Sequence, residues 1–198
     1  MKKGIIFLYL AALFTCIILL FWYKEWVYSL PTPVPGNYVA AQPGKYIELA
    51  GKFNPKKDQP VFLHFFNPDC PCSRFNIVQF NSLVKEYGSK VSFGVVVMTR
   101  DKSYTAERIR EKFGWSIPVI LDSALATNCG VYSTPQAVLL NEDHTLNYRG
   151  NYNRNRYCTD KKSNYAQLAI DALLDKQNPV FNQYALKAYG CSLPTCTR

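Results

Sequence analysis

Apolar residues along this chain form one unbroken block followed by a series of short bursts. Residues 4–23, GIIFLYLAALFTCIILLFWY, carry no charged side chain. A helix of twenty residues spans about 30 Å, the thickness of a bilayer core. The bursts that follow alternate in type. Residues 61–66 (VFLHFF) and 91–98 are apolar almost throughout, as for central strands covered on both faces. After the turn Asn67-Pro68-Asp69, the positions Ile77, Phe80, Val84 and Tyr87 recur at helical spacing up to Gly88. A charged helix is predicted over 103–113, stopping at Gly114, with Ile109 and Phe113 on its apolar side. Residues 117–121 read as a short strand, and Asp122 as the cap of a small helix. Residues 136–140 and 145–149 flank Asn141-Glu142-Asp143-His144 as a hairpin. A closing helix over 164–176 would turn Leu168, Ala172 and Leu173 to the core. Residues 45–50 suit a short strand and 51–59 a loop.

Strand, helix, strand, helix, then a hairpin and a last helix imply an α/β fold: a central mixed sheet flanked by helices. Right-handed crossovers make the first strands parallel. The expected organisation is an N-terminal transmembrane helix in an anchor over 1–27, a proline-rich spacer over 28–44, an α/β domain over 45–176 and a cysteine-containing tail over 177–198.

Lys2 and Lys3 precede the apolar block, and Phe21, Trp22, Tyr23 and Trp26 crowd its far end, as at a membrane interface. The lysines favour a cytoplasmic N-terminus, which places the domain on the periplasmic or outer side of a bacterial inner membrane. A small-x-small cleavage site does not follow the block, so it reads as a retained single-pass anchor rather than a signal peptide. Cys16 then lies inside the membrane. The other six cysteines, Cys70, Cys72, Cys129, Cys158, Cys191 and Cys196, follow the anchor. In an oxidising compartment they could form up to three disulfides.

The 198 residues carry a formal net charge of +9. Arg149, Arg154, Arg156, Lys161 and Lys162 cluster, with Tyr148, Tyr152 and Tyr157 among them. Outside the membrane nucleic acid is not an expected partner. The stretch reads as a solvated basic loop or as a contact for anionic headgroups or an acidic partner.

Cys70-Pro71-Cys72 directly follows the first central strand and its turn. Proline suits the first position of a helix and disfavours helical geometry before it, so Cys70 falls at the N-cap. Unpaired N–H groups and the positive end of the helix dipole there favour the thiolate, the reactive form. The plainer alternative is a pair of structural cysteines.

The chain resembles the thioredoxin-like superfamily, in particular its redoxin branch and the membrane-anchored bacterial thiol-disulfide oxidoreductases. Three stretches carry the likeness: Phe65-Phe66-Asn67-Pro68-Asp69-Cys70-Pro71-Cys72, Ser133-Thr134-Pro135-Gln136, and the hairpin ending in Tyr148-Arg149-Gly150. The resemblance implies a thioredoxin-like fold and disulfide exchange with protein thiols, with no cofactor. Cys70 would be the nucleophile and Cys72 its partner. Pro135, in a cis Thr-Pro bond, would lie beside the sulfurs and let an extended segment pair alongside. The family motif is usually Cys-x-x-Cys, whereas one residue separates the thiols here. A Cys70–Cys72 disulfide would close a tight ring and favour disulfide donation or isomerisation. Alternatively a distant thiol resolves: Cys191 or Cys196, which otherwise read as a structural disulfide pinning the tail. Cys129 and Cys158 read as structural or merely buried.

Peroxidase chemistry is not expected, because Asn67 and Asp69 stand where peroxiredoxins carry a hydroxyl. Two other classes stay open. Closely spaced thiolates suit Cu(I), although the two histidines look badly placed: His64 within a central strand and His144 in a hairpin turn. A non-catalytic binding module on the same scaffold is the other.

Overall fold

The computed structural model describes residues 2–49, 51 and 53–193. They divide between Pro31 and Thr32 into two compact units. The first is one helix, α1 (Lys2–Ser29). Within Lys3–Trp26 an 18-residue window reaches a mean hydropathy of 2.7, and the stretch is long and apolar enough to cross a membrane.

The second unit begins with residues 32–49, which have no regular structure beyond a lone bridge from Tyr46 to Thr145. Among the described residues of the span 45–50, that bridge stands in place of the expected short strand. Elements then follow in the order β1 (Val61–Phe66), α2 (Pro71–Phe75), α3 (Ile77–Tyr87), β2 (Ser92–Val97), α4 (Ala106–Phe113), β3 (Val119–Ile120), α5 (Ser123–Asn128), β4 (Ser133–Thr134), β5 (Gln136–Leu140), β6 (Leu146–Gly150), a 3-10 turn at Lys161–Ser163, α6 (Tyr165–Leu174), α7 (Gln183–Leu186) and β7 (Cys191–Ser192). The main sheet has the order β3-β2-β1-β5-β6. β1, β2 and β3 are parallel, while β5 and β6 join antiparallel. This is the mixed sheet expected from the element order. The architecture is a thioredoxin-like fold.

Each face of the sheet has its own core. Phe62, Phe66, Val95 and Leu139 point to the side covered by Phe80 and Leu83 of α3, Ile109 of α4 and Ile170 of α6. Leu63, Phe65, Val96 and Val138 point to the other, covered by Leu125 of α5, by Ile47, Leu49 and Phe53, and by Leu193 from the tail. All six residues of β1 are buried, which is why its sequence reads as a continuous apolar run.

Local signals explain most helix ends. The Thr105 hydroxyl accepts from the Arg108 N–H at 3.2 Å, and Gly114 closes α4 at φ 66°. Asp122 caps α5 through the Ala124 N–H. In α6 the buried set is Tyr165, Ala166, Ala169, Ile170 and Ala172, whereas Leu168 is exposed. The expectation for Leu168 fails because the inward stripe runs through Ala166, Ala169, Ile170 and Leu173, at i, i+3, i+4 and i+7, which leaves position 168 off the packed face. The basic stretch is also less uniform than its sequence suggests. Tyr148 and Tyr152 are buried in the core, and Tyr157 is exposed. Arg154 lies over the Tyr184 ring, 4.7 Å from its centre.

Candidate active site

The site is delivered by the carboxyl end of β1. The Asp69 N–H donates to Asn67 Oδ1 at 2.9 Å, and the Cys70 N–H to the Asn67 carbonyl at 3.1 Å. The Asn67 N–H donates to Ser73 Oγ at 3.2 Å. Tyr104 Oη donates to Asp69 Oδ1 at 2.9 Å. These bonds tighten the turn and place Cys70 as N-cap of α2, extended at φ −86° and ψ 121°, with Pro71 opening the helix. The single helix expected after the cysteines is broken at Asn76, so α2 has only 5 residues. Its dipole is correspondingly small.

Cys70 is disulfide-bonded to Cys191, 121 residues later, with Cα atoms 6.3 Å apart. The bond runs neither to Cys72 nor between Cys191 and Cys196. Cys196 lies outside the described residues. Cys72 is buried at the second position of α2 and stays out of the disulfide. The sulfurs of Cys70, Cys72 and Cys191 nevertheless all lie within 4.8 Å of one another. Cys70 is 2 % exposed and Cys72 3 %, while Cys191 is half-buried.

The Thr134–Pro135 peptide is cis, and Pro135 sits between β4 and β5. Cys70 Sγ lies 3.8 Å from the Thr134 carbonyl oxygen. Thr134 Oγ1 and both polar atoms of the Gln136 amide are buried without a hydrogen-bond partner among the described residues. Buried polar groups left this way cost about 1–3 kcal/mol each.

Cys129 and Cys158 lie apart from this trio. Cys129 is fully buried, and desolvation raises its thiol pKa to about 12. Desolvation likewise raises Cys158 to about 12, and its thiol donates to Asn76 Oδ1 at 3.3 Å. Neither is poised to form a thiolate at neutral pH. His64 is packed in the core against Phe80, and His144 sits in the hairpin turn at φ 62°. Neither joins the sulfurs.

The sequence reading missed what surrounds Cys191. β7 pairs with β4 in a second, two-stranded sheet. Thr32, from the stretch expected to be spacer, is buried and its N–H donates to the Ala188 carbonyl at 2.9 Å. A cleft of about 490 Å³ opens beside β7, bordered by Pro33, Tyr38, Gly130, Tyr132, Ser192 and Leu193.

Solved structures match this architecture across nearly their whole length. A hypothetical protein from Sinorhizobium meliloti aligns with a TM-score of 0.63 at 17% identity, covering 79% of this chain and 96% of that one. An uncharacterised conserved protein from Geobacillus kaustophilus gives 0.61 at 20% identity, covering 83% and 97%. The C-terminal domain of a candidate thiol-disulfide oxidoreductase from Bacteroides thetaiotaomicron gives 0.50 at 12% identity, covering 69% and 98%. No curated protein matches the sequence.

Fold and site together define a thioredoxin-like protein with a disulfide-capable cysteine pair. Residues 42–195 match the family model described as a domain of unknown function, DUF6436, and the chain belongs to that family.

Proposed function

We propose that the protein is a membrane-anchored thiol-disulfide oxidoreductase, with α1 crossing a bacterial inner membrane and the second unit on its outer side. The observation that carries this reading is the bond from Cys70, at the end of β1, to Cys191, with the Cys72 sulfur close to both. In the reduced protein the Cys70 thiolate attacks one sulfur of a partner's disulfide. A Cys70–partner bond forms, and the partner's other sulfur leaves as a thiolate. Cys191 then attacks Cys70 Sγ, the partner's second thiolate leaves, and the Cys70–Cys191 disulfide is restored. Two electrons pass to the partner, and the reverse sequence donates the disulfide. Pro135 offers no N–H beside the sulfurs, which leaves the Thr134 carbonyl as the backbone group facing them.

The test is exchange by the full chain in detergent micelles, with a disulfide-bonded protein as substrate. Cys70→Ser should fall to background, and Cys191→Ser should accumulate a mixed disulfide on Cys70, read by mass spectrometry. Wild-type exchange by Cys70→Ser would end the proposal.

One observation favours a second reading. Once reduced, the three clustered sulfurs form a soft site for Cu(I), with Cys191 as the third ligand in place of a histidine. Anaerobic Cu(I) titration of the reduced chain decides it: one ion bound, and lost in both Cys72→Ser and Cys191→Ser, supports copper handling. Unchanged binding in those variants removes it.

A further inference from the structure

Cys191 reaches Cys70 as part of a strand. β7 lies antiparallel to β4, with Cys191 opposite Thr134 and Ser192 opposite Ser133. Ser133 Oγ donates to the Cys191 carbonyl at 3.2 Å, and Thr32 Oγ1 to the Gly190 carbonyl at 3.1 Å. The Thr32 and Ser133 hydroxyls are themselves 2.8 Å apart. Gly190 has a φ of 146°. A Cβ there would come within 2.3 Å of the Thr134 oxygen and 3.2 Å of Ser133 Oγ. Only glycine lets the chain lie this close before the cysteine. Leu193 then enters the core.

This arrangement has the form of a bound partner. Cys70 is enclosed, and the sulfur of Cys191 fills the place a partner's sulfur must take. A partner cannot reach Cys70 while residues 190–193 lie along Ser133 and Thr134. β7 is 2 residues long, and without its covalent link only a few hydrogen bonds and Leu193 hold it. Short strands of this kind open readily.

We propose that residues 190–193 are an internal stand-in for the partner. The groove along Ser133–Thr134 takes an extended protein segment whose cysteine follows a glycine, in the antiparallel register that Cys191 now occupies, and the tail must leave before that segment enters. The proposal rests on the exchange reading above and adds its substrate class.

Opening requires an external dithiol. One of its thiolates attacks Cys191 Sγ, the more accessible sulfur, and Cys70 leaves as a thiolate. The reductant's second thiolate attacks its own sulfur in the mixed disulfide, closes its own disulfide and releases the Cys191 thiolate, which takes up a proton. β7 then gives way, and Cys70 attacks the cysteine sulfur of the incoming segment, whose leaving group departs as a thiolate.

Two probes test this: the peptide Tyr-Gly-Cys-Ser-Leu, its cysteine in a mixed disulfide with thionitrobenzoate, and the same peptide with valine in place of glycine. Each is mixed with the reduced full chain in micelles, as Cys191→Ser and as Cys191→Ser with Gly190→Val. Adduct on Cys70 is followed by peptide mapping. The glycine peptide should react about fivefold to tenfold faster than the valine peptide in both proteins, the worth of roughly one backbone hydrogen bond. Adding Gly190→Val should speed the glycine peptide by a similar factor, because the tail no longer competes. Equal rates for the two peptides, or no gain from the undocked tail, overturn the proposal even if Cys70 exchanges normally with glutathione disulfide. No exchange of Cys70 with glutathione disulfide either would overturn the oxidoreductase reading itself. The peptide comparison in Cys191→Ser alone stands if the double variant fails to fold, which near-UV circular dichroism checks.

Discussion

The strand that delivers Cys70 also carries His64, and acid should loosen the fold through that one side chain. The imidazole is fully buried, stacked on Phe80 at 4.4 Å between ring centres and edge-on to Trp115 at 6.3 Å. Nδ1 lies 2.7 Å from the Tyr152 hydroxyl, and Nε2 has no hydrogen-bond partner among the described residues. A second proton would place a charge inside the apolar core, with no ion pair to offset it among the described residues. Desolvation accordingly lowers the pKa from 6.5 to about 3. The unfolded chain takes up this proton below about pH 6.5 and the folded one does not. The stability is therefore whole above pH 6.5, falls as the pH drops towards 3, and levels off below that. Each pH unit in this window is worth about 1.4 kcal/mol, so about 2 kcal/mol should be lost at pH 5.

The window between pH 5 and 7.5 isolates the effect. Hydrogen bonds hold the carboxyls of Asp101, Glu107, Asp143 and Asp160 below their usual range, so they change charge at lower pH. Guanidinium unfolding of the full chain in nonionic micelles, followed by near-UV circular dichroism at pH 7.5, 6 and 5, measures the slope. His64→Leu should start about 1–3 kcal/mol less stable, because the Tyr152 hydroxyl loses its partner, but its stability should be flat across the same range. Equal wild-type stability at pH 7.5 and 5, or a His64 ring that titrates near 6.5 by NMR, would refute the argument.

Gly150→Ala should destabilise the domain by about 2 kcal/mol or more, since overpacking of a closed site costs that much. A Cβ there would come within 2.2 Å of the Ala185 carbonyl and 2.4 Å of the Tyr148 hydroxyl, and the shift in unfolding midpoint measures it. Iodoacetamide at pH 8 should leave Cys129 and Cys158 unmodified in the native protein and label both after unfolding, because desolvation raises both thiols to about 12; rapid native labelling of either would show that its thiol is not held protonated in this way. Cys72→Ser should keep the Cys70–Cys191 disulfide in a peptide map, and its loss would show that Cys72 is needed to form the bond.

What could be read from the sequence follows the range of the forces involved. β1 announces itself because both its faces are covered, and Pro71 marks the start of α2 through a restriction on its own φ. Asp122 and Gly114 are legible for the same reason: a cap acts within one turn. Tyr148-Arg149-Gly150 shows as a motif, and the structure supplies a cause. The Tyr148 hydroxyl donates to the Asn151 carbonyl at 2.8 Å and lies 3.3 Å from that of Ala185. A side chain at Gly150 would fill that space. Leu168 misled because hydrophobicity alone does not say which face of a helix can approach a sheet.

The sequence offered Cys191 only as an alternative partner for Cys70, and for a different reason. Two thiols one residue apart suggest each other, and nothing local to residues 177–193 indicates a strand. β7 exists only because Thr32, Tyr132 and Ser133, distant in sequence, present hydroxyls and a carbonyl to a tail that glycine allows to lie flat. Gly190 beside Cys191 was the one available signal. A glycine before a cysteine in a tail without periodicity marks backbone approaching backbone, and here that approach brings a third sulfur to a site that the sequence had furnished with two.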